Sequence, residues 1–322
     1  MKMRSILMVA MAATIWSMPT KAEWPERTVS MIIMSKEGGG MDRASRLLGE
    51  HLEKRLGQPI KYVNRPGASG RTALEAFRAA EADGHTIFSG NVSTLTMMAG
   101  LTDLDFAFAD EFAWVGAYLV DPATIVTSSK SEIATLDELI AKARQEPITV
   151  GVANFKSVQT LALAQLRDAA EMQIEIIPYS GFKGASVDVM GGHIDAAVGN
   201  FSATEKLGDE VRYLGLFADQ APDARPGLDP IKSMLGADVS DAASIRGLGL
   251  HPALNEAFPD RFATLETAFM ETIADPAFVE SFSTIGADAN QAVVWNAEDV
   301  AAAVDSIETK LESYREFFDQ GS

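Results

Sequence analysis

The chain repeats one local pattern: a short β-rich apolar run, an exit marked by glycine or proline, then apolar residues at helical spacing. Arg27 to Met34 opens as a strand, and Met41 to Leu56 follows as a helix with Ala44, Leu47, Leu48, Leu52 and Leu56 on one stripe. Gly57 and Pro59 end that helix. Ile60 to Val63 is a second strand, N-R-P-G-A-S-G at 64–70 is turn chemistry, Arg71 to Ala80 a helix and His85 to Ser89 a strand. Further strands are predicted at 113–119, 123–128, 148–153, 174–178, 194–198 and 211–217, with helices at 135–145, 157–170 and 183–191. Between 225 and 260 the pattern breaks up around Pro226, Pro230, Pro252 and Pro259, and two helices, near 261–285 and 298–318, close the chain. This alternation predicts an α/β fold of parallel sheets flanked by helices. In such sheets ligands sit at strand carboxyl ends, beside helix N-termini.

The length of 322 residues, 47% of them hydrophobic, allows one large domain or two ordinary ones. Residues 1–22 read as a secretory signal: Lys2 and Arg4 precede an apolar stretch from Ile6 to Trp16, and Thr20 and Ala22 are the small residues before a cleavage point near Ala22. The mature protein is expected to be exported and freely soluble. The chain has no cysteine, so thiol catalysis, thiolate metal ligation and disulfide staples are all excluded. The signal holds three bases and no acids, so its removal takes the net charge from −18 to −21. Such a surface disfavours nucleic acid and anionic membranes. It does not fix the sign of a small ligand, because a cleft's own donors act at contact distance while surface charge is screened.

Residues 35–42, S-K-E-G-G-G-M-D, leave the first strand through three glycines. Gly38, Gly39 and Gly40 would let a ligand approach the backbone closely, and the helix after them would favour a carboxylate or phosphate. The same residues also fit a plain tight turn, with Asp42 as a helix-start acid. Nucleotide patterns fail: there is no G-x-x-x-x-G-K-[ST], and Arg43 stands where G-x-G-x-x-G needs its last glycine. G-x-S-x-G fails as well, at Arg71. Four scattered histidines and loop-borne acid pairs build neither a metal site nor a catalytic set, so no cofactor and no enzymatic activity are expected.

Several stretches in order, W-P-E-R-T-V-S-M-I-I-M, G-G-G-M-D-R-A-S-R-L-L, L-G-Q-P-I-K-Y-V-N-R-P-G-A-S-G, A-D-G-H-T-I-F and P-Y-S-G-F-K-G-A-S-V-D-V-M-G-G-H-I-D-A-A-V-G, resemble the receptors of tripartite tricarboxylate transporters, the Bug family of solute-binding proteins. The resemblance spans nearly the whole mature chain and is weakest from 220 to 260. It implies a periplasmic location and a two-domain periplasmic-binding-protein type II fold with the ligand in the cleft between domains. The chain would cross twice, near 120–125 and 220–228, making 23–122 with 226–322 one domain and 123–225 the other. Carried onto this sequence, the carboxylate clamp falls on Ser35, Lys36, Gly38, Gly39 and Gly40, on Ala68, Ser69 and Gly70, and on Ser93 and Thr94. From the second domain come Phe155, Ser157, Val158 and Gln159, with Tyr179 and Asn200.

Each nomination has a plainer use. Asn64 and Arg65 suit a loop-fixing turn, Asp195 a strand brace and Ser157 a helix N-cap. Tyr179 would either touch ligand or pack at the hinge, and Tyr118, Phe155 and Phe182 would either wall an aromatic acid or fill core. Lys36 and Glu37 depart from the family's pattern: Lys36 would pair with a second ligand carboxylate or face solvent, and Glu37 would disfavour tricarboxylates. The leading reading is a monomeric, non-enzymatic receptor that hands a small carboxylate ligand to membrane permease subunits. A sensor presenting its ligand to a kinase and a secreted α/β hydrolase are the alternatives.

Overall fold

The computed structural model describes residues 24–320 apart from 105–107, 109–110, 223, 237–238, 240 and 286–290. The signal segment and its cleavage point lie outside the described residues. Among the described residues ten strands form the framework: β1 (Val29–Ile33), β2 (Ile60–Asn64), β3 (Thr86–Asn91), β4 (Ala113–Ser128), β5 (Ile148–Val152), β6 (Ile174–Pro178), β7 (Ala196–Asn200), β8 (Val211–Phe217), β9 (Ala243–Leu250) and β10 (Ala292–Asn296). They pair in the order β2-β1-β3-β9-β4-β7-β5-β6, with β8 and β10 also on β4.

Alternation along β1 explains its apolar run. Val29, Met31 and Ile33 pack under helix Gly40–Leu56, while Ile32 faces the opposite layer with Leu74, Phe77 and Phe88. That helix buries Ala44, Leu47, Leu48, Leu52 and Leu56, and each such leucine contributes about 1.5–3 kcal/mol. It stops where predicted: Gly57 is left-handed at φ 66 and its N–H donates to the Glu53 carbonyl at 2.9 Å. Helix Leu136–Gln145 starts from a reciprocal Thr135–Glu138 capping box.

The expected parallel pairing holds in two patches, β2-β1-β3 and β6-β5-β7. Between them the sheet is antiparallel, because β9 runs against both β3 and β4, and β7, β8 and β10 run against β4. The strands expected at 113–119 and 123–128 are one strand. Residues 113–122 of β4 pair with β9, and 123–128 pair with β7 and β8. Pro122 sits at that change of partner, where a missing N–H costs least. A second change lies between Phe217 and Ala243: the Ala242 N–H donates to Phe217, and the Ala123 N–H donates to Ala242, at 3.0 and 2.7 Å.

The stretch read as irregular, 225–260, contains β9 in the middle of the sheet. Its sequence, A-S-I-R-G-L-G-L, hides the strand because two glycines and an arginine interrupt the apolar run. The glycines are required by their neighbours: a Cβ at Gly247 would lie 3.0 Å from the Gly116 carbonyl, and one at Gly249 2.9 Å from the Phe112 ring. Helix Val92–Gly100 and β10 are likewise additions to the predicted elements.

Candidate functional site

The glycine loop is held from beneath by Asp42. This carboxylate is almost fully buried and accepts from the Gly38 N–H at 2.8 Å, from Arg46 Nε at 3.0 Å to both oxygens, and from Asn64 Nδ2 at 2.8 Å. Burial pushes the Asp42 carboxyl up, but the bonds from Arg46, Asn64 and Gly38 outweigh it and hold it below the usual carboxylate value. The Gly39 N–H donates to the Lys36 carbonyl at 3.3 Å. Two of the three nominated glycine N–H groups are therefore engaged within the loop. Asn64 also donates to the Ser35 carbonyl at 3.0 Å, so it fixes the loop as its turn chemistry implied. Lys36 is exposed, and Glu37 pairs with Arg46 at 3.3 Å.

The second nominated loop is backbone-strained. Gly67, Ala68, Ser69 and Gly70 all have positive φ, at 137°, 44°, 52° and 98°. Ala68 and Ser69 do so without a glycine's freedom, and both are exposed. Gly70 is buried, where a Cβ would meet Met34 and Leu95 at 2.7 and 2.8 Å.

The third strand of each half ends in the same four-residue pattern, Gly90-Asn91-Val92-Ser93 and Gly199-Asn200-Phe201-Ser202. Both lie at a strand-to-helix junction and both serines bond to a segment where the chain changes sheet. Ser93 Oγ donates to the Ala243 carbonyl at 2.6 Å, and Ser202 Oγ donates to Asp121 at 2.5 Å. Ser93 is thereby buried as a brace. Asn91 caps the Thr94 N–H at 3.0 Å and donates to Ser244 Oγ at 2.6 Å. Asn200 instead accepts from Gln159 Nε2 at 2.7 Å, which ties two nominated residues together.

Elsewhere in the second half the plainer uses account for the contacts. Ser157 caps the Thr160 N–H at 3.3 Å, and Val158 is buried in the core. Phe155 packs tilted against Phe317 and edge-on against Phe318, with ring centroids at 5.5 and 5.6 Å, so its ring belongs to the packing of the last helix. Tyr179 donates to Asp188 at 2.5 Å, and burial followed by Asp188 pushes its phenol up to about 12. Asp195 accepts from Lys142 at 2.6 Å and from the Thr149 N–H and hydroxyl, bracing β5. In the first half, Tyr118 is likewise fully buried with Ser45 and Ser89.

Two functional candidates escaped the sequence reading, Asp121 and Arg246. Asp121, at the end of β4's first half, accepts from both the Ser202 hydroxyl and its N–H, and burial pushes its carboxyl up. Arg246, on β9, is half-buried and donates from Nη1 to the Gly40 carbonyl at 3.1 Å. Arg43 donates to the Gly38 carbonyl at 2.8 Å, so two guanidiniums grip the glycine loop from its two ends. The signal was available: Arg246 is the one charge in an otherwise apolar run, and G-N-x-S occurs twice. A hollow of about 760 Å³ opens between the crossings, lined among others by Ser93, Phe201, Phe217, Ala243 and Trp295.

Among the described residues no group of three or more histidines or acids is placed to hold a metal, and no helix is long and apolar enough to cross a membrane. A family model described as the tripartite tricarboxylate transporter family receptor matches residues 44–308. A protein from the ttuE-ttuC' intergenic region of Agrobacterium vitis is 26% identical over 284 residues, covering 86% of this chain and 81% of its own. BugT of Bordetella pertussis is 32% identical over 193 residues, 58% of each chain. Among solved structures, a solute-binding protein from Polaromonas superposes with TM-score 0.77 at 20% identity, over 93% of this chain and 100% of that one. Rpa4515 of R. palustris, solved with adipate, gives 0.74 at 21% over 92% and 99%, and MatC of Rhodopseudomonas palustris, solved with malate, gives 0.69 at 20% over 92% and 100%. These likenesses show the fold of periplasmic binding proteins. With its matched span covering most of its length, the chain belongs to the family of tripartite tricarboxylate transporter receptors.

Proposed function

We propose that this receptor is exported to the periplasm, captures a small carboxylate-bearing metabolite by closing two domains around it, and delivers it to the membrane permease subunits of a tripartite tricarboxylate transporter. It does so as a monomer, without a cofactor and without chemistry on the ligand. The domains are 23–122 with 226–322, and 123–225. The observation that carries the reading is the pair of G-N-x-S junctions, one in each half, each bonded to a segment where the chain changes sheet. Rotation about those segments would move the carboxyl ends of β3 and β7 relative to each other, and a ligand touching both would favour the closed state. Adipate and malate in the fold's neighbours support a carboxylate as the solute.

The test is a thermal-shift screen of ligand-stripped mature protein against mono-, di- and aromatic carboxylates and their amides, with small-angle scattering on any hit. An acid at about 100 times its dissociation constant stabilises by about 2.7 kcal/mol, a rise of several degrees, while its amide does not. The radius of gyration should fall on binding. If no acid in the panel shifts the folded, ligand-free protein, the reading is wrong.

A further inference from the structure

We propose that Arg246 is the charged anchor of the solute, its guanidinium forming a two-point hydrogen-bonded ion pair with a carboxylate of an organic acid held beside the Gly38–Gly40 loop. The proposal rests on the receptor reading above and adds the residue that fixes the acid.

The side chain is half-buried on a central strand, and it donates to a neutral carbonyl, that of Gly40. Among the described residues no carboxylate lies within ion-pair reach of Arg246 or of Arg43. Burial pulls the Arg246 guanidinium below its ordinary value, Tyr118 and Asp121 act against that shift, and Arg43 adds to it. A half-buried cation in that state is costly unless an anion completes it. Asp121 acts on it from beyond ion-pair reach, and burial disfavours that carboxylate's charge. Two guanidiniums thus make one positive spot on a chain whose net charge is −18. The planar fork of arginine matches a carboxylate in a way a lysine ammonium does not.

The test uses Arg246→Gln and Arg246→Lys with the acids that bind wild type, malate and adipate included, read by calorimetric titration. Glutamine keeps a donor for the Gly40 carbonyl without the charge, and lysine keeps the charge without the fork. The expected losses are about a hundredfold for Arg246→Gln and about tenfold for Arg246→Lys, with ligand-free melting temperatures close to wild type. If wild type binds an acid and Arg246→Gln keeps that affinity within threefold, Arg246 is only a brace for the loop and the assignment falls alone. If wild type binds no acid, the receptor reading and the anchor fall together. Should Arg246→Gln not fold, Arg246→Lys binding as wild type does would overturn the two-point pair.

Discussion

Removing the Asp42 carboxylate should loosen the glycine loop and destabilise the fold together. Asp42→Ala strips partners from the Gly38 N–H, the Asn64 amide and Arg46 Nε at once. Breaking a buried ion pair from one side costs about 3–5 kcal/mol, and the lower end applies because the Arg46 side chain is 31% exposed and can rehydrate. At about 2–3 °C per kcal/mol for a chain of this size, a 3 kcal/mol loss lowers the melting temperature by roughly 6–9 °C. Asp42→Asn keeps an acceptor oxygen but not the charge, and should cost about 2 kcal/mol. The pH dependence follows from the lowered folded-state value: the stabilisation is complete above the unfolded carboxylate pKa and is lost as pH falls through the folded one. The gap between wild type and Asp42→Ala in urea titrations should therefore narrow towards about pH 3. A gap below about 0.5 kcal/mol at neutral pH, the size of an ordinary surface substitution, would refute the argument.

Asp121 should behave in the opposite way. Its folded-state value is raised by burial, so its charge weakens the fold above the unfolded pKa and the loss is recovered as pH falls through the raised value. Asp121→Asn should cost less than about 1 kcal/mol at neutral pH in the same urea assay, against about 2 for Asp42→Asn; equal costs would mean that Asp121 is a paired charge. Gly116→Ala places a methyl 2.1 Å from the Trp295 carbonyl, a backbone atom that cannot swing aside, and should cost more than about 3 kcal/mol. Pulse proteolysis would show it, and a wild-type cleavage profile would mean that β10 can shift from β4. Tyr179→Phe loses the bond to Asp188, about 1 kcal/mol, and leaves solute affinity within twofold. A tenfold loss in titration calorimetry would make Tyr179 a ligand contact.

The parallel units were legible because their inner strands β1, β3, β5 and β7 are buried on both faces and helix Gly40–Leu56 on one, so period and turn chemistry agree: β1, that helix and the Gly57 stop all stand where the residues predict. What failed was non-local. β9 is a strand because β3 and β4 flank it, and its glycines are dictated by Gly116 and Phe112, more than 100 residues away in sequence. Phe155 is drawn to the last helix by Phe317 and Phe318, a contact that no local pattern announces.

The glycine loop shows where such reading ends in a site. Its place at a strand's carboxyl end was readable, yet backbone N–H groups have no identity in sequence, and their use is settled by what folds against them. Asp42, four residues on, takes Gly38, and Asn64, from the next strand, secures Asp42. With those donors committed inside the loop, they no longer explain by themselves how an acid would be held there. The charge for that task has to come from elsewhere in the chain, and Arg246, two hundred residues downstream, already reaches the Gly40 carbonyl. A net charge of −18 conceals this, since binding is decided at contact distance and not by the sum over the surface.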